Sequence, residues 1–276
     1  NYRHVRGVCV LLVGAHMASP EQRHMLISLL LVAAAAAVTA ADDAEWSRFR
    51  GPNGTGVAET TPLPTEFGAE QNLVWKTPLP PGHSSPVLSR NRVYVTGLEG
   101  DVLLTIAIDR ASGKVLWRSE VPRRHTIHVD KRNHPASPTP AVDDAENVYV
   151  FFQDFGLVSY DRQGRERWQI PLGPFNNAYG MASSPIVADD TVVLVCDQSI
   201  GSFMIAVNKD SGKLRWKIDR PEAKTGHSTP IVYRPADGPA QLLVPGSFFL
   251  TAYSLATGEK IWWVHGLAFE MKATPV

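Results

Sequence analysis

Four stretches of the chain close in the same way, and this recurrence limits the fold more than any other feature. They are DRASGKVLW from Asp109, DRQGRERW from Asp161, NKDSGKLRW from Asn208 and SLATGEKIW from Ser254. In each, a glycine (Gly113, Gly164, Gly212, Gly258) stands four residues before a tryptophan (Trp117, Trp168, Trp216, Trp262). A second mark, Ser/Thr-Pro followed by apolar residues, recurs at Pro140, Pro185, Pro230 and Pro275, 45 residues apart each time. Pro86 heads an earlier copy, and Trp75 closes an incomplete one before that. Two marks in fixed order at one period define a repeat architecture.

Each unit reads as four short strands. After the proline comes an apolar strand such as Ile186-Val187-Ala188, and Asp189-Asp190 turns the chain into Val192 to Cys196. A turn with Gly201 leads to Phe203 to Val207, and the Ser/Thr-Gly corner leads to the last strand, its glycine supplying positive φ. That strand alternates polar and apolar residues, as in Lys213-Leu214-Arg215-Trp216, so one face is buried. Repeated four-stranded antiparallel units of this length describe an all-β propeller. A stacked solenoid would also repeat, but the hairpin signals and the long period favour blades. A lone blade cannot bury both faces. The large tryptophans Trp75, Trp117, Trp168, Trp216 and Trp262 are therefore read as structural, filling the gaps between blades.

Composition narrows the function classes. The 276 residues carry 27 basic and 27 acidic side chains, a formal net charge of zero, which removes a nucleic-acid binder driven by bulk charge. Two cysteines cannot make a disulfide scaffold. No glycine-rich phosphate cradle stands between a strand and a helix, and no nucleophile elbow is present. Met25 to Ala41 (MLISLLLVAAAAAVTAA) follows Arg23 and His24 and ends in small residues, the pattern of a secretory signal peptide spanning approximately residues 17–40. Its apolar run is shorter than the roughly 20 residues of a membrane span. The expectation is an exported protein, periplasmic or extracellular, with no membrane span after cleavage. The first 16 residues begin with Asn and are read as lying upstream of the true start, Met17 or Met25. The domains expected are upstream residues and leader over 1–40, an entry segment over 41–70, and the propeller over 71–276. Loss of the leader removes Cys9 and leaves Cys196, in an apolar strand, as a buried small hydrophobe.

The pattern D-x-x-[ST]-G-x-x-x-W resembles the pyrroloquinoline-quinone (PQQ) type propeller repeat with its tryptophan-docking motif, over roughly residues 71–276. Trp46 to Gly56 (WSRFRGPNGTG) looks like the entry sequence of secreted bacterial PQQ-like propeller proteins. That family is seven- or eight-bladed. The resemblance implies an incomplete ring here: about four blades, partial ones at Trp75 and Thr274-Pro275-Val276, and three or four more beyond. The strand at Leu73-Val74-Trp75 would then complete the last blade as a clasp.

Two kinds of family member give two functional expectations. The first is a BamB-like, non-catalytic scaffold in the cell envelope that binds an envelope or secreted protein partner. The alternative is a quinoprotein oxidoreductase, alcohol dehydrogenase-like, using PQQ with Ca²⁺. The adjacent cysteines of such dehydrogenases have no counterpart here, and no Glu/Asn/Asp set aligns with their calcium ligands. The lipid-bearing cysteine usual in the BamB scaffold is missing as well. The repeat names a fold rather than an activity. No catalytic residue, metal or cofactor is assigned.

A ligand site, if present, belongs near the propeller axis. Three residues before the prolines stand His83, Ser137, Ala182, His227 and Lys272, and the flanking loops add His134, Asn176, Asn177, Tyr179 and Glu270. The candidate axial set is His83, His134, Tyr179, His227, Glu270 and Lys272. Imidazoles, an amine and a carboxylate converging on one axis could hold a metal, a quinone or an anion; the simpler reading, which comes first, is that each histidine hydrogen-bonds its adjoining turn. The long loop Pro122 to His134 carries His125, His128 and Asp130, and is read chiefly as a basic, solvated surface loop suited to an acidic partner. Gly51, Gly54 and Gly56 read as a flexible entry turn.

Overall fold

The computed structural model describes residues 46–58 and 64–275. The leader and upstream residues expected over 1–40 lie outside the described residues. By internal contacts the chain divides into Asn1–Asp43 and Ala44–Val276; only the second unit is described here.

It consists of four sheets of four strands. The first holds β1 (Val87–Ser89), β2 (Arg92–Glu99), β3 (Val102–Asp109) and β4 (Val115–Pro122). The second holds β5 (Ala141–Val142), β6 (Val148–Phe152), β7 (Gly156–Tyr160) and β8 (Glu166–Pro171). In the third are β9 (Ile186–Ala188), β10 (Thr191–Cys196), β11 (Phe203–Asn208) and β12 (Leu214–Asp219). The fourth contains β13 (Ile231–Tyr233), β14 (Gln241–Pro245), β15 (Phe249–Ser254) and β16 (Lys260–His265). In every sheet the order in space is the order in sequence, with antiparallel neighbours.

The core lies between the sheets. Val87, Tyr94 and Leu103 of the first pack with Val148, Val150 and Val158 of the second. Tyr149, Phe151 and Leu157 of the second meet Val192, Leu194 and Ile205 of the third, and Val193, Val195 and Met204 meet Leu242, Val244 and Tyr253. Central strands such as β6 and β10 are buried throughout, because the second and third sheets each have a neighbouring sheet on both sides. Cys196 is among them, a free and buried thiol pushed well up by its burial.

The repeat glycines and tryptophans meet across these gaps. A Cβ built on Gly113 would lie 2.6 Å from the Trp75 indole; on Gly164, 2.6 Å from Trp117; on Gly212, 2.8 Å from Trp168; on Gly258, 2.7 Å from Trp216. All four glycines have positive φ. Each indole Nε1–H also donates to a backbone carbonyl of the next corner: Trp75 to Arg110, Trp117 to Arg162, Trp168 to Lys209 and Trp216 to Leu255, at 2.8–3.1 Å. Trp262 instead donates to Gln241 Oε1 of its own sheet. Opposite each tryptophan on the third strand stands a small residue, Ala107, Ser159, Ala206 or Ala252, and the register shifts by one just after it. This bulge turns the last strand so that the indole leaves its own sheet for the neighbour.

A second tie runs along the axial side. The Ser85 N–H donates to Thr139 Oγ1 (3.0 Å), the Thr139 N–H to Ser184 Oγ (2.9 Å), and the Ser184 N–H to Thr229 Oγ1 (3.0 Å). The hydroxyl before each repeat proline thus accepts from the equivalent residue one sheet earlier. This belt is the physical content of the Ser/Thr-Pro mark.

Neither Leu73-Val74-Trp75 nor Thr274-Pro275 lies in a strand among the described residues, and the clasp expected of the first concerns a blade outside them. One expectation is corrected. The glycines of the entry segment are not a flexible turn. Trp46 bridges Leu88 of β1, the Val142 N–H of β5 donates to Ser47 O, and Asn53 exchanges two hydrogen bonds with Val232 of β13. Gly54 is buried, and a Cβ there would lie 3.1 Å from both Ile231 and Thr274. The segment is pinned across the inner strands.

Candidate functional site at the channel mouth

Of the residues three before the repeat prolines, His83 on the one hand and His227 with Lys272 on the other take part in two separate groups of candidate residues. His83 and His134 face each other with ring centroids 5.1 Å apart. The His83 N–H donates to Ala136 O, and His134 Nδ1 accepts from the Ala136 N–H at 3.2 Å. That bond fixes the lone pair of His134 Nδ1 on its own turn. Burial lowers the pKa of His134 below the ordinary 6.5, with smaller contributions from His83 and Arg123.

The second group is Tyr179, His227, Glu270 and Lys272. Tyr179 meets His227 edge-on at 6.0 Å. Lys272 Nζ and Arg132 Cζ each lie 5.8 Å from the Tyr179 ring centroid, so the phenol ring is contacted by two cations. Lys272 Nζ is 3.9 Å from Glu270 Oε2. His227 donates its backbone N–H to Met271 O, while its Nδ1 is buried and has no hydrogen-bond partner. Burial lowers its pKa and Lys272 lowers it further; Glu270 and Asp197 act in the opposite sense.

The long loop is built onto this mouth and is not simply solvated. Asp154, buried in the β6–β7 turn, accepts from Arg123 Nε at 2.8 Å and from the Ile127 N–H. The Arg124 and His125 N–H groups both donate to Asp154 O, and Ile127 packs on the core. Further on, the Asp130 N–H and Asn133 Nδ2 donate to Tyr179 O. The loop thus reaches from the first sheet over the second to the third. Its Arg124, His128, Lys131 and Arg132 remain exposed, with Arg132 paired to Asp130. Sequence reading missed the anchor because Asp154 looks like any turn aspartate until its burial is known.

A second feature absent from the sequence reading is a buried ion pair. Arg220, buried, forms a two-point pair with Asp197 (2.8 and 3.0 Å) and donates to Tyr253 OH at 2.5 Å, linking the third and fourth sheets.

A calcium–quinone group makes a demand that this mouth does not meet. Ca²⁺ takes six to eight oxygen ligands, and the candidate set offers one carboxylate, Glu270, already beside Lys272. Among the described residues no group of three or more His, Cys, Asp or Glu is placed to hold a metal ion. The residues present do not fit that cofactor.

Four-stranded antiparallel blades joined by docked tryptophans define the protein as a PQQ-like β-propeller. A family model described as outer membrane protein assembly factor BamB matches in two overlapping stretches, residues 68–199 and 105–265, and the chain belongs to that family. No curated protein matches it in sequence. Among solved structures it is similar to a europium-containing methanol dehydrogenase, at 12% identity and a TM-score of 0.58, covering 82% of this chain and 49% of that one. It is also similar to BamB from Moraxella catarrhalis, at 14% identity and a TM-score of 0.45, covering 66% of this chain and 48% of that one. The chain spans about half the length of these structures. Such identities speak for the fold alone. Among the described residues no helix is long and apolar enough to cross a membrane.

Proposed function

We propose that the protein is an exported, non-catalytic scaffold of the cell envelope that docks an acidic segment of a protein partner on the channel mouth. The observation that carries this reading is the loop from Pro122 to His134. It is anchored through buried Asp154 and leaves Arg124, Lys131 and Arg132 exposed, with Arg132 and Lys272 on the same Tyr179 ring. A fixed backbone bearing exposed cations costs little ordering on binding and favours an acidic partner through encounter rate and register. The family description, an assembly factor for outer membrane proteins, agrees with an envelope role. Asp42-Asp43 and the leader before it fit export on sequence grounds.

The quinoprotein alternative rests on repeat type and on the histidines of the mouth. It requires the six candidate residues to act as one set, whereas they stand as two.

One experiment separates the readings. The chain is titrated with PQQ and Ca²⁺ by calorimetry and, separately, with an acidic peptide at two salt concentrations. The expected result is no stoichiometric quinone binding, and peptide binding that weakens with salt and is lost when Lys131, Arg132 and Lys272 are changed together to Gln. Stoichiometric quinone binding would overturn the scaffold reading, as would peptide binding indifferent to the three substitutions.

A further inference from the structure

The entry segment treats the four inner strands unequally. Leu88, Val142, Val187 and Val232 are equivalent, each two residues after its repeat proline. The first, second and fourth are capped: the Leu88 N–H donates to Trp46 O (3.0 Å), the Val142 N–H to Ser47 O (2.8 Å), and the Val232 N–H to Asn53 Oδ1 (2.9 Å). Val187 of β9 receives no such acceptor from the described residues. By the register of the repeat, its N–H points to the same axial side.

A cavity of about 590 Å³ opens at that omitted place, lined by Arg48, Asn53, Val187, Asp189 and Arg234 among others. Arg234 and Asp189 pair with each other at 2.8 Å and are half exposed. Arg48 is different: it is only 6% exposed. One of its nitrogens, Nη2, donates to Pro230 O at 2.5 Å, and its Nε–H has no partner at all. No carboxylate among the described residues pairs with it. Burial alone lowers its pKa to about 10. A guanidinium in this position bears the full cost of desolvation with one neutral acceptor in return.

We infer that this cavity is a binding site for a small oxyanion, a carboxylate or phosphate, held between the Arg48 guanidinium and the free Val187 N–H. The anion supplies the acceptor that Trp46, Ser47 and Asn53 supply to the other three strands, and the countercharge that Arg48 lacks. The lining carries two cations and one anion, so the vacancy in charge is a single negative one. The site is separate from the mouth residues and does not depend on the scaffold reading.

The test uses the full chain, titrated with sodium acetate and, separately, with sodium phosphate, at ionic strength held constant with chloride. Thermal unfolding and binding heat are followed together. At least one oxyanion saturates and raises Tm, the folded-to-unfolded ratio rising about tenfold at about nine times Kd; which one does so assigns the ligand as carboxylate or phosphate. Arg48→Met abolishes the response, and Arg90→Met, an exposed arginine elsewhere, keeps it. Arg48→Lys, which retains charge without the Nε donor, weakens affinity about tenfold and serves where the methionine variant fails to fold. An identical response to chloride, acetate and phosphate would overturn the inference, as would a saturable response unchanged by Arg48→Lys.

Discussion

Changing Gly212 to alanine tests how the sheets are joined. The residue has φ +68°, and an added Cβ would sit 2.8 Å from Trp168 Cδ2 and 3.0 Å from Cε3 and Cγ. The left-handed backbone costs alanine about 1–2 kcal/mol. Carbon atoms rest at about 3.5–4.0 Å, so the indole must retreat by several tenths of an ångström or more. The Trp168 Nε1–H bond to Lys209 O, now 2.9 Å, then lengthens out of range. Overpacking in such a site costs about 1–3 kcal/mol, and the lost bond about 1 kcal/mol. The variant should lose roughly 3–6 kcal/mol on these principles. Gly100 provides the control, with φ +59° and nothing within 4 Å of its Cβ position; Gly100→Ala should cost only the backbone term. Urea unfolding followed by circular dichroism gives both values, read from the midpoint shift at unchanged slope. Repeating Gly212→Ala in a Trp168→Leu background should recover about 1–3 kcal/mol as coupling. If the two alanine variants differ by less than about 0.5 kcal/mol, or if the cycle is additive, docking of the indole on the glycine is not what joins the sheets.

Other predictions concern the axial side and the buried pair. Thr229→Val keeps the side-chain shape but leaves the buried Ser184 N–H without its acceptor; a loss of about 1–3 kcal/mol is expected, with faster hydrogen exchange at Ser184. Arg220→Met strands Asp197 and should cost about 3–5 kcal/mol, whereas adding Asp197→Leu should restore much of it; equal loss in single and double variants would count against the pair. His134 and His227 have folded pKa values below 6.5, from burial first and from cationic neighbours second. Below about pH 6.5 the unfolded chain therefore binds protons that the folded chain does not, and stability falls as pH drops toward the folded values. His227→Gln should flatten the fall in Tm between about pH 7 and pH 5.5.

What the sequence disclosed and what it hid follow from the range of the contacts involved. Trp168 and Gly212 face each other because the same four-residue spacing is repeated in every unit, so the contact is periodic and visible in one dimension. The hydroxyl belt was visible as Ser/Thr-Pro, but its purpose was not, since the partner of each hydroxyl lies a whole repeat away. The small residue opposite each tryptophan, Ala107, Ser159, Ala206 or Ala252, was also periodic and passed unread. The hidden features are those that occur once. Arg48 reaches Pro230, 182 residues away; the Asp154 anchor and the Asp197–Arg220 pair likewise have no counterpart in the other sheets. For the candidate site, position relative to the prolines singled out His83 and His227 as equivalent. It could not show that His134 would turn to the first and Tyr179 to the second.

The entry segment covers the inner strands. An inner strand such as β5, two residues long, would without it present an unpaired N–H toward the axis, and a row of such groups invites pairing with another chain. Trp46 to Asn53 removes that liability at three strands without forming a regular strand itself, using two carbonyls and one side-chain amide. The glycines at 51, 54 and 56 permit the path because all three take positive φ, and Gly54 lies where a methyl group would press on Ile231. One end of the channel is thus covered by the chain's own backbone. The loop from Pro122 to His134 carries exposed cations of its own, with Arg132 paired to Asp130. The cavity at β9 is the place where that cover is incomplete.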